Sequence, residues 1–292
     1  MLEPRFRRLL DCAPSLPETF TDVLRFVVAL DAEARPLVER FELRYDPEVR
    51  PFKVYRGDAG ALIVAGIGKA AAAAATSYLQ LAAGGERQAV WLNVGVAGHS
   101  HLAMGEALLA HKVKDRASGR CWYPPQVIEP PCATDAVTTV DRPERAYREP
   151  GAFEMEASGF YPTACRFASA ELVHCVKIVS DGPDNALEHL TLEVVEELVA
   201  QQLAVVERLA GSCLELAKEL ADLEADPQDF EQCLSTWRFT VSESRELRRQ
   251  LRRRQTLAPD EPLPVHGLVR GTRGKQVLAR LRPWLDELAL QS

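Results

Sequence analysis

Short apolar runs alternate with longer stretches of helical periodicity along most of the chain, the pattern of strands joined by helices. Residues 24–30 (LRFVVAL) form a largely apolar, β-branched run that predicts a buried central strand. Residues 31–41 continue as a helix carrying Leu37, Val38 and Phe41. Asp31 suits its N-cap, and Glu33 lies in its first turn, where the helix dipole favours an anion. Residues 52–56 and 61–65 flank Gly57-Asp58-Ala59-Gly60 and predict a hairpin. The second arm runs into Gly66-Ile67-Gly68-Lys69 and then a helix whose unbroken run from Ala70 to Ala75 permits close approach to a sheet. Residues 89–94 predict another buried strand, which enters Gly95-Val96-Ala97-Gly98. Strands follow at 105–113 and 136–140, and the Pro-, Arg- and Cys-rich stretch 116–135 between them is expected to be loop.

The segment from Gly151 to Asn185 carries the densest chemistry. It contains Glu154-Met155-Glu156, a small-residue helix, an apolar strand at 172–179, and the stop Ser180-Asp181-Gly182-Pro183. An acid where an apolar strand gives way to Gly-Pro stands at a strand end, where open α/β sheets hold their ligands. Beyond it, Leu192, Val195, Leu198, Leu203, Val206 and Leu209 recur near helical spacing in a helix over 190–223, with Gly211-Ser212 as its expected kink. Asp226-Pro227 marks a stop. Residues 237–281 then hold the basic helix SESRELRRQLRRRQ, a Pro-rich turn and the start of a last amphipathic helix. This order predicts the α/β class: a three-layer α/β/α domain with a mixed central sheet over 1–225, and a helical C-terminal appendage over 226–292.

Composition adds limits. The chain has 292 residues and 47% hydrophobic content, enough for one large domain with an appendage. A net charge of −7 is not that of a protein given over to nucleic acid. The charge is uneven, however: residues 237–292 hold 12 Lys/Arg against 6 Asp/Glu, and the remainder holds 23 against 36. The basic helix is therefore expected to be a solvated face packing on the acidic body, with a nucleic-acid or protein partner as the alternative. Seven dispersed cysteines without CxxC spacing argue against a disulfide framework and a zinc site, and fit small buried residues in a reducing compartment. With no apolar leader and no run of about 18 apolar residues, a cytoplasmic location is expected, without membrane insertion.

Local sequence leaves the candidate groups with two readings each. Glu33 is either a helix-capping acid or an acid presented at the carboxyl end of the first strand. Gly66-Ile67-Gly68 either makes a nest of backbone amides for an anion or a hydroxyl-rich ligand, or simply permits tight strand-to-helix packing. His99 and His101 are expected to be polar loop residues. Five motifs narrow this. ALDAEA (29–34), AGIGKAAAAA (65–74), NVGVAG (93–98), FEMEASG (153–159) and VKIVSDGPD (176–184) occur in this order. Together they resemble the nucleoside phosphorylase superfamily, most closely its 5'-methylthioadenosine/S-adenosylhomocysteine nucleosidase branch, over roughly residues 24–220.

The resemblance implies roles. Glu33 would activate the attacking water, and Asp181 would protonate the purine at N7. Glu156 would hold the ribose hydroxyls, with Met155 packed beneath the ribose and Glu154 as a second acid beside it. Lys177 falls where the nucleosidases carry an arginine near the water, so the charge is kept without the fork geometry. Gly68 belongs to the turn that binds phosphate in phosphorylases and seats water in nucleosidases. Val96 and Gly98 lie in the strand-end motif, Val96 where a serine is usual, and Ser180 adjoins Asp181. Asn93 stands where phosphorylases carry a phosphate-binding arginine, which favours water as the nucleophile. The segment between Asp115 and Glu154 is shorter than is usual, and Asp141-Arg142-Pro143 occupies the neighbourhood of the aromatic that stacks on the base. No cofactor or metal is implied, and a homodimer is.

The chemistry fits these residue types. N-glycoside cleavage passes through an oxocarbenium-like state, and adenine leaves poorly unless N7 receives a proton, which calls for a carboxyl with a raised pKa. The water needs a base across the ribose, as in inverting glycosidases, and a carboxylate on the sugar hydroxyls adds negative potential near the developing cation. The expected activity is hydrolysis of a 5'-modified adenosine (methylthioadenosine, S-adenosylhomocysteine, 5'-deoxyadenosine or a bulkier adduct) with release of adenine. The alternatives are a phosphate-dependent phosphorylase, and a non-catalytic nucleoside-binding scaffold whose basic tail is the working part.

Overall fold

The structure, a computed structural model, describes residues 23–83, 89–183, 190–265 and 268–291. The lead-in expected at 1–21, with Cys12, and the Asp184-Asn185 end of the acid-bearing segment lie outside the described residues. The chain forms two compact units, Met1–Leu220 and Ala221–Ser292.

The first unit begins with β1 (Leu24–Val28), α1 (Asp31–Arg40), β2 (Arg44–Tyr45), β3 (Lys53–Gly57), β4 (Gly60–Val64) and α2 (Lys69–Ala82). It continues with β5 (Val90–His99), β6 (Ala107–Asp115), β7 (Cys121–Trp122), β8 (Ala133–Thr139) and β9 (Ala152–Glu154). Then come α3 (Ala157–Ala164), β10 (Val173–Asp181), α4 (Leu192–Gln201) and α5 (Leu203–Glu224). One mixed sheet runs β10-β6-β8-β9-β5-β1-β4-β3-β2, with β7 on β6. A further pairing of β10 with β5 closes β5, β10, β6, β8 and β9 into a ring, so this part of the sheet curls onto itself.

The alternation of strand side chains builds two cores, one on each face. Val27, Ile63, Trp91 and Cys175 pack with Ala72, Ala75 and Leu79 of α2 and with Phe160 and Ala164 of α3. Phe26, Val28, Leu92, Val94, Val176 and Ile178 pack with Leu37 of α1, Leu198 and Val199 of α4, and Val206 and Leu209 of α5. The α/β class with a mixed sheet is thus as the periodicity predicts. The small residues of α2 and α3 let the two helices nearly touch: a Cβ on Gly159 would overlap the carbonyl of Lys69.

Several boundaries differ from expectation. The stretch 116–135 holds β7 and the start of β8, and β2 and β9 are also additions. These strands are too short, or too polar, for a period of two to show. β5 runs through the whole glycine motif to His99, because β10 pairs with it as far as Gly98 and β9 pairs with Gly98 and His99. Gly211-Ser212 does not break the helix there; the break falls at Gln202, whose Nε2 donates to the Gly105 carbonyl at 2.7 Å. Asp31 is not the N-cap of α1. Leu30 takes that position, and Asp31 pairs with Lys53 at 2.6 Å.

The second unit contains α6 (Phe230–Thr236), α7 (Val241–Leu257) and α8 (Gly274–Gln291) around Phe230, Cys233, Trp237, Leu247, Leu251, Val277 and Leu281. Thr240 and Glu243 form a capping box that starts α7. The arginines of α7 find acids within the unit: Arg248 pairs with Asp226, Arg249 with Glu246 at 2.6 Å, and Arg253 with Asp286 at 2.6 Å. Arg254 is buried and meets Asp229 at 3.2 Å, while also donating to the carbonyls of Pro259 and Glu261. Among the described residues, no helix is long and apolar enough to cross a membrane.

Candidate active site

The first acid is fixed by the β1–α1 junction. Leu30 is extended and Glu33 lies three residues on, so its carboxylate folds back over the helix start. Oε2 accepts the amides of Ala29 at 2.8 Å and Leu30 at 2.9 Å, and Oε1 accepts the amide of Val96 at 3.0 Å. Glu33 is buried, and that burial raises its pKa against the opposing pull of Lys177 and the three amides. Gly95 makes the room: a Cβ there would lie 2.7 Å from Glu33 Oε1. Val96 contributes its backbone amide, so the absence of a serine hydroxyl at that position does not affect this contact.

The second group sits where β9 meets α3. Glu154 Oε1 accepts from Thr139 Oγ1 at 2.6 Å. Its Oε2 takes Lys177 Nζ at 2.9 Å and the amides of Glu156 and Ala157 at 2.9 and 2.8 Å. The side chains of Glu154 and Lys177 are each 1% exposed, so this ion pair is sealed in the sheet. Burial pushes Glu154 upward, but Lys177 and the hydrogen bonds outweigh it and hold the carboxyl below its ordinary range. Lys177 stays charged: burial lowers its pKa, and Glu154 and Glu156 more than restore it. Glu156 Oε1 accepts the amide of Gly68 at 2.8 Å, and Met155, half-buried, is adjacent. Burial, reinforced by Glu154, pushes Glu156 up to about 7. The Gly66-Ile67-Gly68 turn needs its glycines, which have φ of 84° and 106°.

The third group ends β10. The β10–β5 register shifts between Val179 and Asp181, which sets Asp181 opposite Gly98. Asp181 Oδ1 accepts from Ser180 Oγ at 2.5 Å, and Oδ2 accepts from the hydroxyl of Tyr147. A Cβ on Gly98 would stand 2.8 Å from Asp181 Oδ2 and overlap the Tyr147 hydroxyl. Gly95 and Gly98 therefore each accommodate one acid. They are three residues apart, about 10 Å of extended strand.

The residues that the motifs nominate fall in or beside these three groups. Lys177 links the first two groups electrically, and Gly98 joins the third to them along β5. In the neighbourhood 141–143, Asp141 pairs at 2.9 Å with Lys69, which also holds buried Asp115 at 3.0 Å. The aromatic that does reach the site, Tyr147, carries no motif. Its one signal is that it is a lone ring in the charged stretch 141–149 just ahead of FEMEASG. Asn93 is 1% exposed and donates to the Val27 carbonyl at 2.9 Å.

His99, His101 and Asp135 also lie close together. His99 is a buried strand end, not a loop residue, and its Nδ1 accepts the amides of His101 and Leu102 at 3.1 and 2.9 Å. Its hydrogen is then on Nε2, directed at Asp135 3.1 Å away. Neither ring nitrogen has a lone pair left for a cation, so this donor set staples the loop after β5 and does not fit a metal.

No family model matches the chain, and no curated protein matches it. Solved structures do. A 5'-methylthioadenosine/S-adenosylhomocysteine nucleosidase of Helicobacter pylori is 14% identical with a TM-score of 0.53, covering 65% of this chain and 98% of that one. The 5'-methylthioadenosine nucleosidase of Arabidopsis thaliana is 17% identical with a TM-score of 0.53, covering 68% and 96%. The futalosine hydrolase of Helicobacter pylori is 14% identical with a TM-score of 0.53, covering 65% and 98%. At these identities the likeness is one of fold: the nucleosidase fold, with a C-terminal extension.

Proposed function

We propose that the chain hydrolyses the N-glycosidic bond of a purine nucleoside, with a 5'-modified adenosine as substrate and adenine as the leaving group. The observation that carries this reading is the pair of buried acids, Glu33 and Asp181, seated at Gly95 and Gly98 of one strand. Glu33, with its raised pKa, takes a proton from water. Glu156, held on the Gly68 amide, accepts hydrogen bonds from the ribose hydroxyls. Asp181 passes a proton to the departing base. Glu154 and Lys177 make their hydrogen bonds within the protein and act from behind. Lys177 offsets the mutual repulsion of Glu33, Glu154 and Glu156.

The same electrostatics favour water over phosphate. A phosphate dianion would meet three acidic side chains, and the Gly68 amide already donates to Glu156. Lys69 and Lys177 are both committed to acids. The choice of a 5'-substituted adenosine rests on the fold shared with proteins named for methylthioadenosine and S-adenosylhomocysteine. Incubation with methylthioadenosine, S-adenosylhomocysteine and 5'-deoxyadenosine, with and without phosphate, tests it. Free adenine in phosphate-free buffer is the expected result, and no adenine from any of them under either condition would sink the reading.

A further inference from the structure

Asp181 is buried with a hydroxyl against each oxygen, so a base that reaches it competes for space with one of the two hydroxyls. Ser180 is its chain neighbour on β10. Tyr147 comes from the separate segment between β8 and β9. We propose that Tyr147 is a gate in the base site: its phenol is displaced from Asp181 by the leaving base, so that it sets which leaving groups the site accepts. The proposal rests on the nucleosidase reading above and concerns the same site.

Three observations support it. The phenol and the carboxylate meet over Gly98, where no side chain intervenes. The ring lies edge-on to Phe153 at 5.8 Å, and Phe153 is covered on another side by the Arg116 guanidinium at 5.0 Å, so the ring has an apolar shelf beside the acid. The segment is also fastened on both sides of Tyr147. Glu144 pairs with Arg116 at 2.5 Å and accepts the amides of Arg145 and Ala146. Glu149 meets Lys114 at 3.2 Å and Arg116 at 3.6 Å. Between these fastenings Tyr147 has φ of 45°, a left-handed conformation that bulky residues rarely adopt. Held contacts, not local preference, keep the phenol on Asp181. Once the base has taken the proton at N7, its N–H donates to Oδ2 in place of the phenol and lets the backbone relax. Burial and Asp181 both raise the phenol's pKa, so it remains a donor throughout.

Calorimetric titration of free adenine into wild type, Tyr147→Phe and Glu149→Gln tests the gate, with KM and kcat for adenine release measured alongside. Deleting the hydroxyl removes the competitor, so Tyr147→Phe should bind adenine about tenfold more tightly, the scale of one hydrogen bond to a charged group. Its KM should fall by more than any change in kcat. Glu149→Gln, a surface change that loosens one fastening, should move binding the same way by less. Adenine bound no more tightly by Tyr147→Phe, in a wild type that does release adenine, overturns the gate and leaves the nucleosidase reading standing. A wild type that neither releases nor binds adenine removes both.

Discussion

At the residue scale, the two acids at the ends of the proposed reaction should be separable from folding. Glu33 and Asp181 are each seated by a glycine opposite, not by a large packing role. Glu33→Gln and Asp181→Asn should each lower turnover about 10²–10⁴-fold, the usual weight of a positioned acid or base, while near-wild-type melting shows the fold intact. Adenine release close to wild type in Asp181→Asn would remove it as the acid. Glu156 gives a pH test. Folded, it holds its proton up to about 7 against an ordinary 4.5, with Glu154, Glu33 and Lys177 as its charged neighbours. Between those values the unfolded chain binds fewer protons than the folded one. Its contribution to stability is therefore present below 4.5 and lost as pH rises towards 7. Urea midpoints at about pH 5 and about pH 8 should differ less in Glu156→Gln than in wild type. An unchanged difference would mean that Glu156 titrates normally. Asp181 is legible in the sequence because it stands where an apolar run stops, whereas Glu33 and Glu156 are singled out only by the motifs they belong to. Tyr147 is not, since its role depends on a side chain crossing 34 residues of sequence to meet Asp181.

At the element scale, glycine meaning depends on what lies opposite, which no periodicity reports. Gly159 and Gly211 both sit in helices and look alike in sequence. Gly159 faces the Lys69 carbonyl across the α2–α3 contact, whereas Gly211 has open space around it. Gly159→Ala should cost about 1–3 kcal/mol by forcing the two helices apart. Gly211→Ala should instead stabilise by about 0.5–1 kcal/mol, because it removes the freedom of a helical glycine without meeting anything. Chemical denaturation of the two variants checks both signs, and a shared sign would contradict the packing described. The same dependence on distant partners explains the boundaries. β1, β4 and β10 announce themselves as apolar runs, while β9 has three residues and exists because β5 and β8 offer it edges. Its position is what brings Glu154, its last residue, and Glu156, two residues on, into place.

At the scale of the whole molecule, charge and packing divide the labour. The acidic part of the chain holds the proposed site, and the basic part has a core of its own. Composition alone shows the boundary as a change of sign, but it cannot show where the basic charge goes. Four arginines of α7 are matched by Asp226, Asp229, Glu246 and Asp286, all within the second unit. A nucleic-acid surface needs such charges directed outward to phosphates, and each phosphate neutralised in this way steepens the salt dependence of binding. With these four engaged, and with two tryptophans and one phenylalanine between residues 237 and 292, the unit has few means of holding a strand. Every group assigned to the proposed reaction, from Glu33 to Asp181, also lies before residue 221. A chain ended after Ala225 should therefore keep its adenine release within a few-fold of the full chain. The full chain in turn should show little salt-sensitive binding to single-stranded RNA by fluorescence anisotropy. Loss of adenine release on truncation, in a protein whose circular dichroism still shows the first unit folded, would give the second unit a part in the site. Tight RNA binding abolished by added salt would return the working role to the basic helix.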